Sequence, residues 1–364
     1  MTEQYCLVCG SRVIAIELEI NSGLNRPIAM GAGLVALDVV ISNRENEARF
    51  WVGGSCGNIL TILAYFGWQS FPIAYLGKDQ ASEIMFEDLN KWGVKTNFIF
   101  MSDKTATPII VERIRNRENN SFPTHVFEFK CPFCGSMLPR NRPLPKAVTE
   151  MLIDRMPDSN VFYFDRVSST ILTLAKIQKS KGALIVFEPH RLMERSLFNE
   201  CLELSDIIKY SSEQIEGIRT EAYAPLEIQT LGAKGLRYRI KNDSIVSDWK
   251  KLDGLQSLKI VDSAGAGDWC TAGLIHYLGQ RGSQAFLKVT EKTIVDALRF
   301  GQCLSTIKCA YEGPRGIMYY IQKTKFQYLV NNCYSKEDIQ QDVMEIFSTK
   351  IKNHNFLCPH CEIP

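Results

Sequence analysis

Short apolar runs alternate with longer segments of helical period along most of the chain. Residues 160–165, 183–188 and 206–209 are apolar runs of strand length, and the segment 168–181 has the period of a helix. The alternation begins near Ile28. Strands that alternate with helices are typical of an α/β fold, in which a mostly parallel sheet is flanked by helices.

Two β-rich segments leave this rhythm. The first covers about residues 39–52, and the second comprises residues 107–115 and 124–129. Their β-branched and aromatic residues favour strands, but these strands do not follow the one-strand, one-helix order of the rest of the chain. We therefore predict that these two segments are an excursion from the main sheet.

Residues 34–41 follow two closely spaced glycines, Gly31 and Gly33. Together with Ala36 these glycines match the GxGxxA fingerprint of dinucleotide-binding sites. That fingerprint requires a helix after its glycines, whereas this run of Val, Leu and Ile predicts a strand. We therefore reject dinucleotide binding here and expect Asp38 to face a ligand at the carboxyl edge of a sheet.

The pattern divides the chain into three parts. Residues 1–28 are predicted to be an appendage that carries a cysteine pair, and residues 29–330 to be the main α/β unit. A cysteine knuckle is inserted into this unit at about 130–145. Residues 331–364 are predicted to form a helix, capped by Ser335, and to end in another cysteine pair.

The length and charge of the chain narrow its function classes. Its 364 residues suffice for one large α/β domain or two smaller ones. The formal net charge of +2 gives no overall electrostatic case for binding nucleic acid or an acidic membrane surface. We find no secretory signal pattern and no apolar run long enough to span a bilayer. We expect a cytoplasmic protein that binds neither nucleic acid nor membrane.

Six of the twelve cysteines form three Cys-x-x-Cys pairs. In a reducing compartment such pairs suggest thiolate ligands of a metal sooner than disulfides. A tetrahedral structural zinc needs four ligands, so two pairs would have to meet, and the sequence does not say which two. A redox dithiol and free thiols are the alternatives. The predicted metal ligands are Cys6, Cys9, Cys131, Cys134, Cys358 and Cys361.

The most informative stretch for chemistry is residues 260–273, which predict a strand end, a glycine-rich turn and a helix start near Asp268. Gly265 and Gly267 permit positive φ, so the N–H groups of residues 264–267 can converge on one anion beside the positive end of the helix dipole. Asp268 is expected to stay ionised there and to accept a proton during phosphoryl transfer. The alternative is a plain loop-to-helix turn capped by an aspartate.

A second glycine turn precedes an apolar helix at about 59–66. Gly53 and Gly54 lie before this helix, and Asn58 lies in its opening. Glycines and an amide side chain in this arrangement bring polar groups toward a ligand. A plain strand-to-helix turn is the alternative.

The turns at 53–58, 230–235 and 262–268, together with Asp38, resemble in order and spacing the PfkB family of carbohydrate kinases, also called the ribokinase-like family. The run Asp-x-x-Gly-Ala-Gly-Asp at 262–268 is the specific part of this resemblance, which covers about residues 29–320. For the turns at 230–235 and 311–316, simple chain reversal is the alternative.

The resemblance implies a ribokinase-like fold in which a small sheet, built from about residues 39–52 and 107–130, is a lid over the acceptor site. It further implies an ATP-dependent kinase that uses Mg²⁺ and phosphorylates a hydroxyl of a sugar or nucleoside, with a homodimer through the lid as a further expectation. Asp268 is then the base. The backbone of Gly265, Ala266 and Gly267 holds the phosphoryl charge. The implied acceptor residues are Asp38, Gly54 and Asn58, and the implied nucleotide residues are Thr230, Gly232, Gly235, Ala264 and Gly313.

Two elements depart from the family pattern. The family carries Asn-x-x-Glu, tied to magnesium and phosphate, where this chain has Ser211 and Gln214. Glu188 stands in place of the first aspartate of an Asp-Pro-Asn element. Because Mg²⁺ requires oxygen ligands and is commonly held by carboxylates, its coordination is left open: either Glu188 or Glu213 compensates, or catalysis is weak.

Two hypotheses follow. The leading one is an ATP-dependent phosphotransferase acting on a sugar or nucleoside. The alternative is a ligand-binding or assembly protein on a kinase scaffold with weak or lost catalysis, suggested by the altered magnesium element and the added cysteine pairs. A zinc-dependent nucleic-acid binder has little support, since the net charge is near zero.

Overall fold

The computed structural model of the chain describes residues 2–5, 12–15, 26–42, 48–115, 124–132, 134–191, 195–212, 222–243, 245–255 and 260–333. The strands are β1 (Thr2–Tyr5), β2 (Arg12–Ala15), β3 (Ile28–Ala32), β4 (Ala36–Ile41), β5 (Ala48–Gly53), β6 (Gln69–Gly77), β7 (Ile99–Ser102), β8 (Ile109–Arg115), β9 (Thr124–Glu128), β10 (Val161–Phe164), β11 (Leu184–Phe187), β12 (Ile207–Ser211), β13 (Leu226–Thr230), β14 (Leu236–Asn242), β15 (Ile245–Val246) and β16 (Lys250–Leu252). The helices are α1 (Ser55–Tyr65), α2 (Gln80–Lys91), α3 (Lys146–Ile153), α4 (Ser169–Ser180), α5 (Arg195–Leu204), α6 (Ala266–Leu278), α7 (Gly282–Phe286), α8 (Glu291–Lys308), α9 (Ile317–Tyr320) and α10 (Lys323–Cys333).

The main sheet has the strand order β15-β14-β13-β12-β11-β10-β3-β6-β7, with β16 beside β14. From β13 to β7 all neighbouring strands are parallel. Strands β14, β15 and β16 add an antiparallel edge. The predicted mostly parallel sheet is therefore confirmed, and the carboxyl ends of its parallel strands meet along one edge, where ligands bind in such folds.

Side chains of the central strands alternate between the two faces of the main sheet. Val161 and Tyr163 belong to one apolar core, together with residues of α1, α6 and α8. Phe162 and Phe164 belong to a second core, together with residues of α3, α4 and α5. All four side chains are fully buried. Because both faces are covered, the strands are apolar throughout instead of alternating with polar residues.

A separate four-stranded sheet has the order β5-β4-β8-β9. Strand β4 runs antiparallel to β5 and parallel to β8, and β9 runs antiparallel to β8. Asp38 lies in β4, opposite Trp51 of β5. The prediction that residues 34–41 form a strand, and not the helix of a dinucleotide fingerprint, is confirmed for Ala36–Ile41.

Aromatic rings and one carboxylate fasten this small sheet to the rest of the chain. The indole of Trp51 stacks on the ring of Tyr319, with centroids 4.5 Å apart and an angle of 13° between the planes. Asp88 of α2 accepts hydrogen bonds from the Tyr319 hydroxyl, at 2.6 Å, and from the Val52 N–H, at 2.9 Å. The position of β5 is thus fixed relative to α2 and α9.

Two separate helices, α7 and α8, occupy the segment 282–308. Helix α7 ends at Phe286, and Thr290 caps a new helix, α8, by accepting a hydrogen bond from the Thr293 N–H. The side-chain oxygen of a capping threonine satisfies an N–H group that a continuous helix would have satisfied internally. Among the described residues, no helix combines the length and the apolar character needed to cross a membrane.

The middle cysteine pair forms a tight knuckle. The Cys131 N–H donates to Ser136 O at 2.7 Å, and the Gly135 N–H donates to Cys131 O at 3.0 Å, with Gly135 at φ +76°. Cys131 is buried and Cys134 is exposed. The remaining predicted zinc ligands lie outside the described residues, as does the helix predicted after Ser335; these ligands are Cys6, Cys9, Cys358 and Cys361.

Helices α6 and α8 cross at a point where two glycines face each other. A Cβ at Gly301 would lie 2.7 Å from the backbone oxygen of Cys270, and a Cβ at Gly273 would lie 3.1 Å from the Gly301 Cα. Backbones this close leave no room for a side chain. The contact matters for the site because α6 carries Asp268 in its first turn.

We expect Gly301→Ala to lower the free energy of unfolding by about 1–3 kcal/mol, because the added methyl group overpacks this crossing. The better helix propensity of alanine, about 1 kcal/mol, offsets only part of that loss. Lys292→Ala, at an exposed position of the same helix, is the control and should change stability by less than about 0.5 kcal/mol. Equilibrium unfolding in urea measures both, and an unchanged midpoint for Gly301→Ala would show that the crossing tolerates a side chain.

Candidate active site

A cavity of about 640 Å³ lies at the carboxyl edge of the main sheet, between that sheet and the small one. Its wall contains the connection from β3 to β4, the first turns of α1 and α6, and residues that follow β9, β10 and β11. Small-molecule sites typically have volumes in this range. The predicted site residues among its lining are Asp38, Gly54, Asn58, Gly265 and Asp268.

The glycine turn before α6 presents backbone donors at this wall. Gly265 has φ +73°, and a Cβ there would lie 2.6 Å from Pro314 backbone atoms, so only glycine fits. The N–H groups of Gly265 and Gly267 make no hydrogen bond to any described residue. The Ala264 N–H donates to Asp262 Oδ1 at 2.9 Å, and the Ala266 N–H donates to Ser263 O at 3.2 Å. The prediction that all four N–H groups converge on an anion is therefore wrong for Ala264 and Ala266, whose N–H groups hold the turn together.

Asp268 is held by an amide side chain. Its Oδ2 accepts a hydrogen bond from Asn58 Nδ2 at 2.8 Å. Asn58 Oδ1 in turn accepts from Arg315 Nε at 3.2 Å. The guanidinium fixes which end of the Asn58 amide faces Asp268, because only the oxygen end can accept its N–H. Asn58, predicted as an acceptor-binding residue, thus also orients Asp268.

The surroundings of Asp268 favour its neutral form. Burial raises its pKa to about 8, the negative charge of Glu188 adds to the rise, and the hydrogen bond from Asn58 and the charge of Lys209 only partly oppose it. The expectation that this carboxylate stays ionised is therefore wrong for the ligand-free protein at neutral pH. The sequence pattern showed the helix start but not the buried charges around it.

Asp38 lies against the glycine pair at the start of α1. A Cβ at Gly53 would lie 1.8 Å from Asp38 Cγ, so the carboxylate occupies the space of a missing side chain. Burial raises the pKa of Asp38 to about 7, although the charge of Arg315 and a hydrogen bond from the Gly54 backbone oppose the rise. Asp38 Oδ1 is buried and has no hydrogen-bond partner among the described residues. Asp38 lines the cavity, and a buried acceptor without a protein partner is a candidate partner for a ligand hydroxyl.

A buried ion pair lies next to the glycine turn, and the sequence analysis missed it. The Lys209 ammonium is 2.5 Å from Glu188 Oε1 and 3.7 Å from the point where a Cβ of Gly267 would lie. Burial would favour a neutral amine, but Glu188 raises the pKa of Lys209, so the ammonium stays charged. Strand β12 carries Lys209 and β11 leads into Glu188, so only the fold brings them together.

The same ion pair determines whether Glu188 could act as a ligand of a magnesium ion. The Glu188 carboxylate is 2.5 Å from the Lys209 ammonium, and it also accepts hydrogen bonds from Thr271 Oγ1 at 2.9 Å and from the Tyr163 hydroxyl at 3.3 Å. Glu188 therefore does not present the uncommitted oxygen that a compensating Mg²⁺ ligand needs. Glu213 and Gln214 lie outside the described residues. The described residues do not fit a protein-bound Mg²⁺ at this place.

The predicted nucleotide residues do not line this cavity. A Cβ at Gly235 would lie 2.2 Å from Leu252 O, and one at Gly313 would lie 1.9 Å from the Trp51 ring. Close packing against these neighbours therefore explains why both positions are glycine. Open space surrounds the Cβ position of Gly232, and Thr230 ends strand β13 nearby.

Asp262 anchors the glycine turn through hydrogen bonds. Its Oδ2 accepts from Lys308 Nζ at 3.1 Å and from the Gly313 N–H at 2.9 Å, and Lys308 Nζ also donates to Asp262 O at 2.8 Å.

Ligand-type atoms of Glu112, His125 and Asp262 lie within 4.8 Å of one another, so the small sheet reaches this anchor. Burial raises the pKa of Glu112 well above its usual value, and the Asp262 charge adds to the rise. Both effects favour the neutral form of Glu112 at this contact.

Sequence reasoning also missed a basic wall, because its members come from three separated segments. They share the cavity lining without forming any motif along the chain, and they are Arg140, Arg142, Arg166, His190 and Arg191.

Comparisons with known proteins agree with this architecture. The family model "pfkB family carbohydrate kinase" matches residues 32–129. Fructokinase with bound ATP from Xylella fastidiosa has a TM-score of 0.64 at 16% identity, covering 84% of this chain and 98% of that chain. Aminoimidazole riboside kinase from Salmonella enterica, complexed with aminoimidazole riboside and an ATP analogue, has a TM-score of 0.61 at 15% identity, covering 83% and 99%. Ribokinase from Arabidopsis thaliana, complexed with ribose and ATP, has a TM-score of 0.59 at 16% identity, covering 84% and 99%.

A comparison by sequence with curated proteins gives no match. The structural likenesses show that the fold is ribokinase-like, with a central mostly parallel sheet and a separate small sheet. The predicted resemblance to the PfkB family is confirmed.

The raised pKa values predict a pH dependence of stability. The folded-state pKa values of Asp38 and Asp268, about 7 and about 8, exceed the ordinary value of 3.8. The folded state thus binds more protons than the unfolded state between about pH 4 and pH 8, and these two groups destabilise the fold as the pH rises through that window.

We expect the melting temperature of the ligand-free protein to fall with rising pH more steeply in wild type than in the double variant Asp38→Asn/Asp268→Asn, which cannot ionise at these positions. Asp248→Asn, at an exposed site, should keep the wild-type slope. Differential scanning calorimetry across this pH window measures the slopes. Equal slopes in wild type and the double variant would show that neither carboxyl has a raised pKa.

Proposed function

We propose that this chain, whose family resemblance and fold are those of the pfkB carbohydrate kinases, is an ATP-dependent phosphotransferase that acts on a hydroxyl of a sugar or nucleoside. The observation that carries the proposal is the pairing, in the lining of one cavity, of the Asp268 carboxyl with the Gly265 N–H, which donates to no described residue. A base and an anion-binding turn side by side are what phosphoryl transfer to a hydroxyl needs.

The acceptor lies on the side of Asp38 in this proposal. The unpartnered Oδ1 of Asp38 accepts a hydrogen bond from one acceptor hydroxyl. The Gly54 backbone and the first turn of α1 complete this side of the cavity. Asp38 and Asp268 are close enough for the charge of the first to raise the pKa of the second. Two acidic side chains at this spacing suit a molecule with several hydroxyls, since each oxygen accepts from a different one.

The transfer then proceeds in one displacement. The acceptor oxygen forms a bond to the γ-phosphorus of ATP while the bond to the β-phosphate bridging oxygen breaks, and ADP leaves with that electron pair. The acceptor proton passes to the ionised carboxylate of Asp268. The N–H groups of Gly265 and Gly267 and the positive end of α6 stabilise the charge on the phosphoryl oxygens. Lys209 adds a fixed positive charge 3.7 Å from the Cβ position of Gly267.

The nucleotide lies beside the turn that follows β13 in this proposal. In the proposal Thr230, Gly232 and Gly235 border the nucleotide, together with Ala264 and Gly313. Gly232 has φ +60° and an open surface, which leaves its backbone accessible. Any Mg²⁺ arrives with the nucleotide, because this ion binds mainly through phosphate oxygens and water in such sites; no side chain is assigned to it.

Some expectations from the sequence remain proposals. They are the division into an appendage (1–28), a kinase unit (29–330) and a C-terminal segment (331–364), a structural zinc held by cysteine pairs, a homodimer through the small sheet, and a cytoplasmic location. Metal analysis of the purified chain tests the zinc, and sedimentation equilibrium tests the dimer.

We expect Asp268→Asn to lower kcat by about 10²- to 10⁴-fold, because the asparagine cannot take up the acceptor proton. Nucleotide affinity should stay within a factor of about two, since the backbone donors are untouched. In wild type, kcat/KM should rise with pH through about 8, where Asp268 ionises. Coupled assays of ADP release measure both quantities, with Asp248→Asn as the control. Turnover that survives in Asp268→Asn would remove Asp268 from the mechanism.

A second candidate is a binding or assembly protein on this scaffold. The observation that favours it is Glu188, whose carboxylate is tied to Lys209 and Thr271 beside the glycine turn. ADP release with sugars, nucleosides and their phosphates, with and without Mg²⁺, separates the two candidates. Ligand binding in calorimetry without any ADP release would favour the binding protein, and acceptor-dependent ADP release would exclude it.

A further inference from the structure

The cavity lining contains both acidic and basic residues. The acids Asp38 and Asp268 and the basic residues named above all belong to it. Asp268 is influenced by Glu188, Lys209 and Asp38, in addition to its burial and its hydrogen bond. The charges that act on His190 come from Arg166 and Arg191 and, together with burial, lower its pKa. The charges that act on Asp268 therefore differ from those that act on His190.

Three of these arginines have no acidic partner among the described residues. Arg166 pairs with Asp165 at 3.0 Å. Arg140, Arg142 and Arg191, by contrast, form no ion pair within the part of the chain that the structure describes. An excess of positive charge in the lining of a cavity attracts an anion.

We propose that the acceptor of this kinase is itself an anion: a sugar or nucleoside whose oxyanion group, a phosphate monoester or a carboxylate, is bound by Arg140, Arg142 and Arg191. This inference rests on the proposed function, because it assigns the acceptor of that same site. The oxyanion binds at these arginines, and the hydroxyl end of the acceptor points toward Asp268 of the same cavity.

The chemistry of the side chains fits this ligand. The planar guanidinium forms two parallel hydrogen bonds to an oxyanion, and such charge-assisted pairs are about twice as strong as neutral ones. Three guanidiniums offer more donors than one carboxylate can accept in good geometry, so a phosphate monoester is the better match of the two oxyanions.

The segment that carries two of the arginines is held in place before any ligand binds. Pro139 and Pro143 flank Arg140 and Arg142, and the proline ring fixes φ on either side. The Pro139 carbonyl also accepts a hydrogen bond from the Ile109 N–H of β8 at 3.1 Å. A segment that is already ordered loses less conformational entropy on binding than a free loop would.

The decisive experiment is calorimetric binding to the full-length Asp268→Asn variant, which keeps the cavity but not the proton acceptor. The probes are matched sets: a neutral pentose, hexose or nucleoside, its monophosphate, and the corresponding sugar acid. We expect at least one monophosphate to bind about 10-fold or more tightly than its neutral parent, with the sugar acid between them, and to weaken as salt is added. A sugar acid that binds as tightly as the ester would assign the wall to carboxylates.

Arginine variants locate the anion. Arg140→Gln, Arg142→Gln and Arg191→Gln should each weaken binding of the monophosphate by about 10- to 100-fold and leave the neutral parent unchanged. The corresponding Arg→Lys changes should restore part of the loss, because the charge remains but the fork does not. Arg155→Gln, exposed and outside the cavity lining, is the matched control. Melting temperatures confirm that each variant is folded.

The outcomes separate this inference from the proposed function. Neutral acceptors that bind as tightly as their phosphates, or no binding by any probe, would overturn the anion site. If wild type phosphorylates those neutral acceptors, the kinase assignment still stands. If a monophosphate binds through the arginines but wild type releases no ADP with it, the anion site stands and the kinase assignment fails.

Discussion

The buried guanidinium of Arg315 joins the parts on which the site depends. It donates to Val52 O of β5, to Asp88 Oδ2 of α2 and to Asn58 Oδ1 of α1. Asn58 in turn donates a hydrogen bond to Asp268 of α6 and so orients its carboxyl group. A fully buried cation is costly unless its partners are in place, so the small sheet, two helices and the acid of the site can form only together.

The same principle governs the charges around the glycine turn. Lys308 neutralises Asp262 below the turn, and Lys209 neutralises Glu188 beside it. Each of these two acids thus has a cation as its partner, and both help to hold the structure around the turn. Among the described residues Asp38 and Asp268 form no ion pair, and burial raises their pKa values to about 7 and about 8. The division explains which acids are structural and which are available to a ligand.

Local sequence patterns predicted the fold and the acids of the cavity, because both depend on short stretches of sequence. Alternating apolar runs gave the parallel sheet, and the β-branched run around Asp38 gave a strand at a cavity edge. The protonation of Asp268 could not be predicted, since it depends on Glu188 and Lys209 from distant strands. The basic wall was missed for the same reason. The zinc prediction remains open because four of its six cysteines lie outside the described residues.

The stacking of Trp51 on Tyr319 has a spectroscopic consequence. The two rings belong to the small sheet and to α9, and Trp51 is almost completely buried. Any displacement of β5 from α9 would separate the two rings and expose the indole to water. This exposure shifts the indole emission to longer wavelength. The chain thus contains an intrinsic fluorophore at the contact between the small sheet and α9, so that ligand-induced movement there can be followed by stopped-flow fluorescence without an attached dye.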